Sequence, residues 1–352
     1  MAESYIDDIS IKGIATVVPK DIITFKDDAI KLGIGEGQAK RIRASVGLDK
    51  RHVVREGITA LDLGEKASTQ LLKGLKDVKK NIGFILFITQ TSDYSQPCNA
   101  ALLHGRLGFD HNVGSMDINL GCSGYIYGLY TAALMVKNLK KDVLMVVGDT
   151  LSTKVHPMDR SAGILFGDAA SATLVTSKKG ERIFFDLNSD GKGYESIIVP
   201  AGGARNPISQ KTSEEYEDEE GNIRSMNNLK MSGGDVFNFA VRTEPEAVRK
   251  LLDYSKKSVS DIDYFIFHQA NKYIIRTIAR RLEISDIKVP NSIISTYGNQ
   301  SSASIPCTIN ETLVAGDSKI CLLSGFGVGL SWASMICKLE LEYCPNSIIW
   351  GK

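Results

Sequence analysis

The sequence predicts an α/β fold made of two similar halves, and three observations carry that prediction. Two apolar runs, Ile82-Gly-Phe-Ile-Leu-Phe-Ile88 and Tyr264-Phe-Ile-Phe267, each follow a helical pattern, at about 62–76 and about 245–254. Each run is then followed by the same series: a polar turn, a variable stretch, a glycine, a helix, and a second apolar run ending in glycine, at 143–148 and 320–325. The spacing repeats as well, since Cys122 to Gly148 and Asn299 to Gly325 each span 26 positions (148 − 122 and 325 − 299). Element order and spacing together read as an internal duplication. Alternating strands and helices in both copies make two α/β halves packed about a pseudo-twofold axis. The boundary falls near 180, giving halves 1–180 and 181–352.

The elements have local reasons. A continuous apolar run suits a strand covered on both faces, so 82–88 and 264–267 are predicted to be central strands. The stretch 182–233 between the copies is unlike either. It holds Gly191, Gly193, Gly202 and Gly203, then the acidic run Glu214-Glu-Tyr-Glu-Asp-Glu-Glu220, and it predicts a solvated loop.

Composition narrows the function. At 352 residues the chain is long enough to bury a substantial core. A formal net charge of +1 gives no electrostatic reason for nucleic acid or a membrane surface as partner. No apolar run reaches the roughly 18–20 residues of a membrane helix. Residues 1–12 carry acidic side chains and no apolar signal core, so a cytoplasmic location is expected. The six cysteines form no CxxC pair and fit no zinc spacing, so free thiols are expected. Any one of them is by default a small buried hydrophobe, and a chemical role for Cys122 needs support from its surroundings.

Those surroundings supply it. Cys122 lies in Asn119-Leu-Gly-Cys-Ser-Gly124, where close glycines suit a tight turn into the apolar helix that follows. A thiol at a helix N-terminus is favoured as thiolate by the positive dipole end, and the same backbone N–H groups can hold an oxyanion. The duplication puts Asn299 at the equivalent helix start of the second half, so the pseudo-twofold brings Cys122 and Asn299 together. His268 stands just past a strand, where α/β folds gather active sites. Beside a cysteine it can serve as base or oxyanion donor. Asn299 does not titrate, but its amide can donate a hydrogen bond; alone it reads as a helix cap. Cys, His and Asn in that order also suit a papain-like hydrolase, although Cys-Gly-Ser-Cys-Trp is missing and Cys122 lies deep in the chain. Gly325-Phe-Gly-Val-Gly329 lacks the spacing of a dinucleotide fingerprint, and it reads better as a backbone loop approaching an acyl carbonyl.

Taken together, these motifs resemble the thiolase superfamily, most closely β-ketoacyl-acyl-carrier-protein synthase III. The resemblance rests on Leu120-Gly-Cys-Ser-Gly124, Asp159-Arg160, Phe166-Gly-Asp168, Met231-Ser-Gly-Gly-Asp-Val-Phe237, His268-Gln-Ala-Asn271, Tyr297-Gly-Asn-Gln-Ser-Ser-Ala-Ser-Ile-Pro306 and Gly325-Phe-Gly-Val-Gly-Leu-Ser-Trp332. It implies a five-layered αβαβα thiolase-like fold and a homodimer. It implies catalytic Cys122, His268 and Asn299, with Asn299 pointing to the class III and chalcone-synthase-like branch. An acyl group moves from CoA or an acyl carrier protein to Cys122, and backbone N–H groups of Cys122 and the Gly327–Val328 turn hold the oxyanion. His268 and Asn299 donate to a malonyl thioester, which decarboxylates and attacks the acyl group. No metal or redox cofactor is implied; CoA or phosphopantetheine thioesters are substrates. Transfer of the acyl group to an alcohol or amine is the alternative on the same scaffold, and a non-enzymatic relative is a third reading that the intact trio argues against.

The sequence departs from the family in places. The stretches corresponding to its adenine-stacking tryptophan segment, 25–31 and 44–51, contain no tryptophan. Arg160 matches the family's Asp-Arg pair near CoA. Tyr273 replaces an arginine often found two positions past Asn271. Lys272, Arg276 and Arg280 line one helical face with Arg281 adjacent. With Arg160 and Asn271 they are the candidates for binding CoA or an acidic carrier protein; their plain reading is a solvated face.

Overall fold

The computed structural model describes residues 2–351. The two apolar runs are the strands Ile82–Ile88 and Tyr264–Phe267. The first is preceded by the helix Ala60–Gly74, which starts at a capping box between Thr59 and Asp62. The second is preceded by Gly233–Ser255, of which the predicted 245–254 is only the later part; Pro245 sits inside this helix. The repeat then continues as helix Gly124–Leu139 and strand Asp142–Asp149 in one half. In the other it continues as helix Ser304–Thr312 and strand Ser318–Gly327.

The strands hydrogen-bond into one nine-stranded sheet that bends into two halves. In the first, Gly114–Ile118, Ile82–Ile88 and Asp142–Asp149 are parallel, and Asp142–Asp149 pairs antiparallel with the start of Ala169–Ser189. In the second, Tyr264–Phe267 is parallel to Ser318–Gly327, which is antiparallel to Ser331–Glu340. Ser331–Glu340 in turn pairs with the end of Ala169–Ser189. Ala2–Pro19 runs antiparallel beside that long strand through both halves. The two long strands change half together: Gly180, at φ +87°, donates its N–H to Asp8 Oδ1 at 3.0 Å. Position 180 therefore falls at the bend of a strand that both halves share.

Alternation along the strands sorts the core into layers. Leu86, Ile88, Val143, Met145, Val147, Ile266, Cys321 and Leu323 face inward and clasp the helices Gly124–Leu139 and Ser304–Thr312. Ile85, Phe87, Leu144 and Val146 face outward onto Ala60–Gly74. Phe265, Phe267 and Leu322 face outward onto Gly233–Ser255 and Lys272–Arg281. Helix, sheet, helix, sheet and helix make the five layers, and the two helices of the duplication form the middle one.

Two expectations change. Tyr264–Phe267 is not a central strand but the end of the sheet order, with Ser318–Gly327 on one side; its apolar faces are covered by helices. The stretch 182–233 is not a solvated loop. Its first residues complete the strand Ala169–Ser189, with Phe185 buried, and its later part is pinned by the buried Arg224, paired with Asp159 at 3.4 Å and with Asp218 at 2.5 Å. Local polarity could not reveal this, because the partner Asp159 lies in the other half. Most of the acidic run is exposed, as expected. Among the described residues no helix is long and apolar enough to cross a membrane.

Candidate active site

The middle-layer helices start against one another. Cys122 lies just before Ser123, the N-cap of Gly124–Leu139, and Asn299 precedes the 3-10 turn Ser301–Ala303 that runs into Ser304–Thr312. Cys122 Sγ lies 3.9 Å from Ser301 Oγ across this junction. Cys122, His268 and Asn299 all line one cleft of about 300 Å³, and so do Gly327, Val328, Arg160 and Asn271. Its walls are otherwise mainly apolar, with Phe166, Met231, Val236 and Phe326 among them.

The glycines set how close the backbone comes. A Cβ at Gly327 would stand 3.0 Å from Cys122 Sγ, and one at Gly325 would meet the Cys122 carbonyl oxygen at 2.6 Å. Side chains at either position would push the second strand off Cys122. This glycine cluster joins two antiparallel strands, not a strand and a helix, so it has no dinucleotide geometry. Val328 follows immediately, and the backbone N–H groups of Cys122 and Val328 both act on the thiol.

The electrostatics of Cys122 differ from what its helix-start position predicts. Burial pushes the thiol up to about 12; Ser301 and the backbone of Cys122 and Val328 pull it down, while the Asp149 charge adds to the rise. Burial outweighs the helix end, and the resting group is a thiol.

His268 is buried and neutral. Burial lowers it to about 3, with only the Ser301 backbone acting the other way. Its Nδ1 is 2.8 Å from Ser304 Oγ, and that oxygen also accepts the Gln269 N–H at 3.2 Å. Ser304 Oγ can accept the Gln269 N–H and donate its own hydrogen to Nδ1, and in that tautomer Nε2 carries the proton as a donor. Phe326 packs its ring edge-on to the imidazole at 5.5 Å. Asn299 is fixed by its backbone, donating to the Leu165 carbonyl at 2.9 Å and accepting from Gly167 at 3.0 Å. Gly167 has no room for a side chain against the Tyr297 carbonyl.

The proposed binding residues divide. Arg160 sits at the cleft and reaches the Leu32 carbonyl at 3.3 Å, and its backbone N–H is held by Asn222 Oδ1 at 3.0 Å. Asn271 caps Lys272–Arg281 by accepting the Ile274 N–H at 2.8 Å. Lys272 packs its stem where a Cβ on Gly47 would be. Arg276 and Arg280 are exposed, whereas Arg281 turns onto the neighbouring helix and donates to the Val241 carbonyl at 2.8 Å. The cleft wall nearest the stretches compared with the tryptophan segment comes from Ile42 and Val46, on helix Glu36–Val46.

Sequence reasoning missed Gln90, Asp149, Ser301 and Ser304. A signal for Gln90 existed: Thr89-Gln90 follows the first strand as His268-Gln269 follows the second.

The duplicated five-layered architecture, with its cleft at the junction of the middle helices, defines a thiolase-fold protein. Residues 116–191 match the family described as 3-oxoacyl-[acyl-carrier-protein (ACP)] synthase III, and residues 252–339 match its C-terminal part. A β-ketoacyl-[acyl-carrier-protein] synthase III of Campylobacter curvus (strain 525.92) is 35% identical over 336 residues, covering 94% of this chain and 96% of that protein. The solved 3-oxoacyl-(acyl-carrier protein) synthase from Burkholderia xenovorans LB400 gives a TM-score of 0.91 at 31% identity, over 98% of both chains. The priming β-ketosynthase of the R1128 polyketide pathway gives 0.81 at 26% identity, over 95% of this chain and 97% of that one. The chain belongs to the β-ketoacyl-acyl-carrier-protein synthase III family.

Proposed function

We propose that the protein is a condensing acyltransferase that joins an acyl thioester to a malonyl thioester with loss of carbon dioxide. The observation that carries this reading is the cleft that holds Cys122, His268 and Asn299 beneath the Gly327–Val328 turn. The donor is an acyl-CoA or an acyl carrier protein, entering past Arg160 and Asn271. Cys122 Sγ attacks its carbonyl, and the oxyanion rests on the backbone N–H groups of Cys122 and Val328. The donor's sulfur leaves with the hydrogen that Cys122 gives up, so the exchange is neutral overall.

The malonyl thioester then enters the same cleft. His268 Nε2–H and the Asn299 amide donate to its thioester oxygen, which takes up the charge released as the carboxylate departs as carbon dioxide. The enolate carbon attacks the acyl-Cys122 carbonyl. The intermediate collapses, the β-ketoacyl thioester leaves, and the Cys122 thiolate takes a proton from water. A neutral histidine suits this role, since it donates without having to be charged. The reaction runs on thioesters, with CoA or phosphopantetheine as substrate rather than resident cofactor, and fits the cytoplasm where they are made.

We also propose a homodimer. Gly114–Ile118 ends the sheet, is bonded on one side only among the described residues, and is half-buried along its length. Such an edge favours pairing with a second copy. Arg276 and Arg280 are the proposed contacts for an acidic carrier protein.

The test is to incubate the protein with a panel of acyl thioesters, follow its intact mass, then add malonyl thioester and measure carbon dioxide. A mass gain lost in Cys122→Ala, followed by carbon dioxide release, is expected. Acylation without decarboxylation would overturn the condensation and favour transfer to an alcohol or amine. A mass gain that survives Cys122→Ala would overturn the assignment of the nucleophile.

A further inference from the structure

Among the described residues, Ser301 is the side chain within hydrogen-bonding range of Cys122 Sγ, and its own position is heavily constrained. Its backbone is left-handed at φ +50°, a conformation costly for serine. Its N–H is held by Asn299 Oδ1 at 2.9 Å. Its hydroxyl faces Cys122 Sγ at 3.9 Å on one side and Gln90 Nε2 at 3.1 Å on the other.

The donors and acceptors limit where that hydroxyl points. The Gln90 Nε2 amide can only donate, so Ser301 Oγ accepts from it, and its single hydrogen has two acceptors within reach, Cys122 Sγ and the buried Asp149 carboxylate. Gln90 is held in turn. Its backbone N–H donates to Asp149 Oδ1 at 2.8 Å, and the second hydrogen on Nε2 reaches Asp149 Oδ2 at 3.3 Å. Asp149 is 1% exposed, so this anchor is shielded from solvent. Gly121, next to the nucleophile, leaves space for the arrangement: a Cβ there would meet Gln90 Nε2 at 2.6 Å. The chain Asp149, Gln90, Ser301, Cys122 crosses from one half of the molecule to the other and back.

We propose that Gln90 and Ser301 are positioning residues for Cys122. Asp149 holds Gln90, Gln90 turns the Ser301 hydroxyl, and that hydroxyl donates a hydrogen bond to Sγ as negative charge gathers there. No proton moves along the chain; the thiol hydrogen still goes to the departing thiol of the donor. The need for such a donor comes from burial: Cys122 is almost wholly enclosed, and the Asp149 charge opposes ionisation. The other titratable groups lining the cleft are His268 and Arg160. The neutral His268 is already bonded at Nδ1. This inference rests on Cys122 being the nucleophile.

The test is the rate of Cys122 alkylation by iodoacetamide across a range of pH, read by peptide mass. It needs neither substrate nor turnover. Ser301→Gly keeps the left-handed backbone available while removing the hydroxyl. It should slow alkylation about tenfold at any given pH, the scale of one hydrogen bond to a charged group, and move the whole curve to higher pH. Gln90→Ala should do the same in part. Combined with Ser301→Gly it should add nothing further, because Gln90 acts through Ser301. A wild-type curve in Ser301→Gly, with the label confined to Cys122, would overturn this proposal alone. Additive effects in the double variant would overturn the action of Gln90 through Ser301. Label that persists at the same rate in Cys122→Ala would remove the nucleophile assignment, and this proposal with it.

Discussion

Asn299 Oδ1 accepts the Ser301 backbone N–H at 2.9 Å, and that single bond decides what the rest of the Asn299 amide can do. The oxygen is occupied, so the group turned toward the cleft is the donating Nδ2. Asn299→Asp keeps the bond to Ser301 but replaces the donor with an acceptor that repels an enolate. The expected result is a loss of malonyl decarboxylation of about 100-fold or more, the usual scale for removing one oxyanion donor, with acylation of Cys122 retained. Carbon dioxide release and intact mass, measured on one sample, check both halves of this.

His268 should contribute no inflexion to the pH–rate profile near neutrality. Burial lowers it to about 3 from an ordinary 6.5, so it stays neutral throughout the range in which a free imidazole titrates. The same shift makes a stability prediction. Because the folded value lies below the unfolded one, the contribution is fully present above pH 6.5 and declines as pH falls toward 3. The decline is about 1.4 kcal/mol per pH unit at most. Denaturant midpoints at pH 5 and pH 7 should differ more in wild type than in His268→Gln.

Gly327→Ala should damage the site more than the fold. Its Cβ would press on Cys122 Sγ at 3.0 Å, where the wall would have to retreat from the acyl position. Gly325→Ala meets the less yielding Cys122 carbonyl at 2.6 Å and should cost about 1–3 kcal/mol of stability as an overpacked position. Acylation rate and thermal midpoint, compared between the two variants, separate the effects.

Charge reversal at Arg276 and Arg280 should weaken a carrier protein specifically. Both are exposed on helix Lys272–Arg281 and have no ion-pair partner among the described residues. Arg276→Glu with Arg280→Glu should raise the KM for a carrier-protein substrate several-fold at low salt while leaving a CoA thioester unchanged. Arg281→Ala should instead lower stability, because its guanidinium holds the Val241 carbonyl.

The sequence by itself determined the two similar halves and the strands 82–88 and 264–267, and it singled out Cys122, His268 and Asn299, which line one cleft. Apolar periodicity and repeated spacing are written along the chain, and the duplication alone gave a reason for two distant helix starts to meet. Only the tertiary structure decided what those residues can do there. Burial made Cys122 a thiol and His268 neutral, and the degree of enclosure depends on walls contributed from both halves. The direction of the Asn299 amide depends on Ser301, that of His268 on Ser304, and the set of the Ser301 hydroxyl on Gln90, 211 positions away. Hydrogen-bond direction and desolvation are properties of an assembled neighbourhood, and no single stretch of the chain contains one.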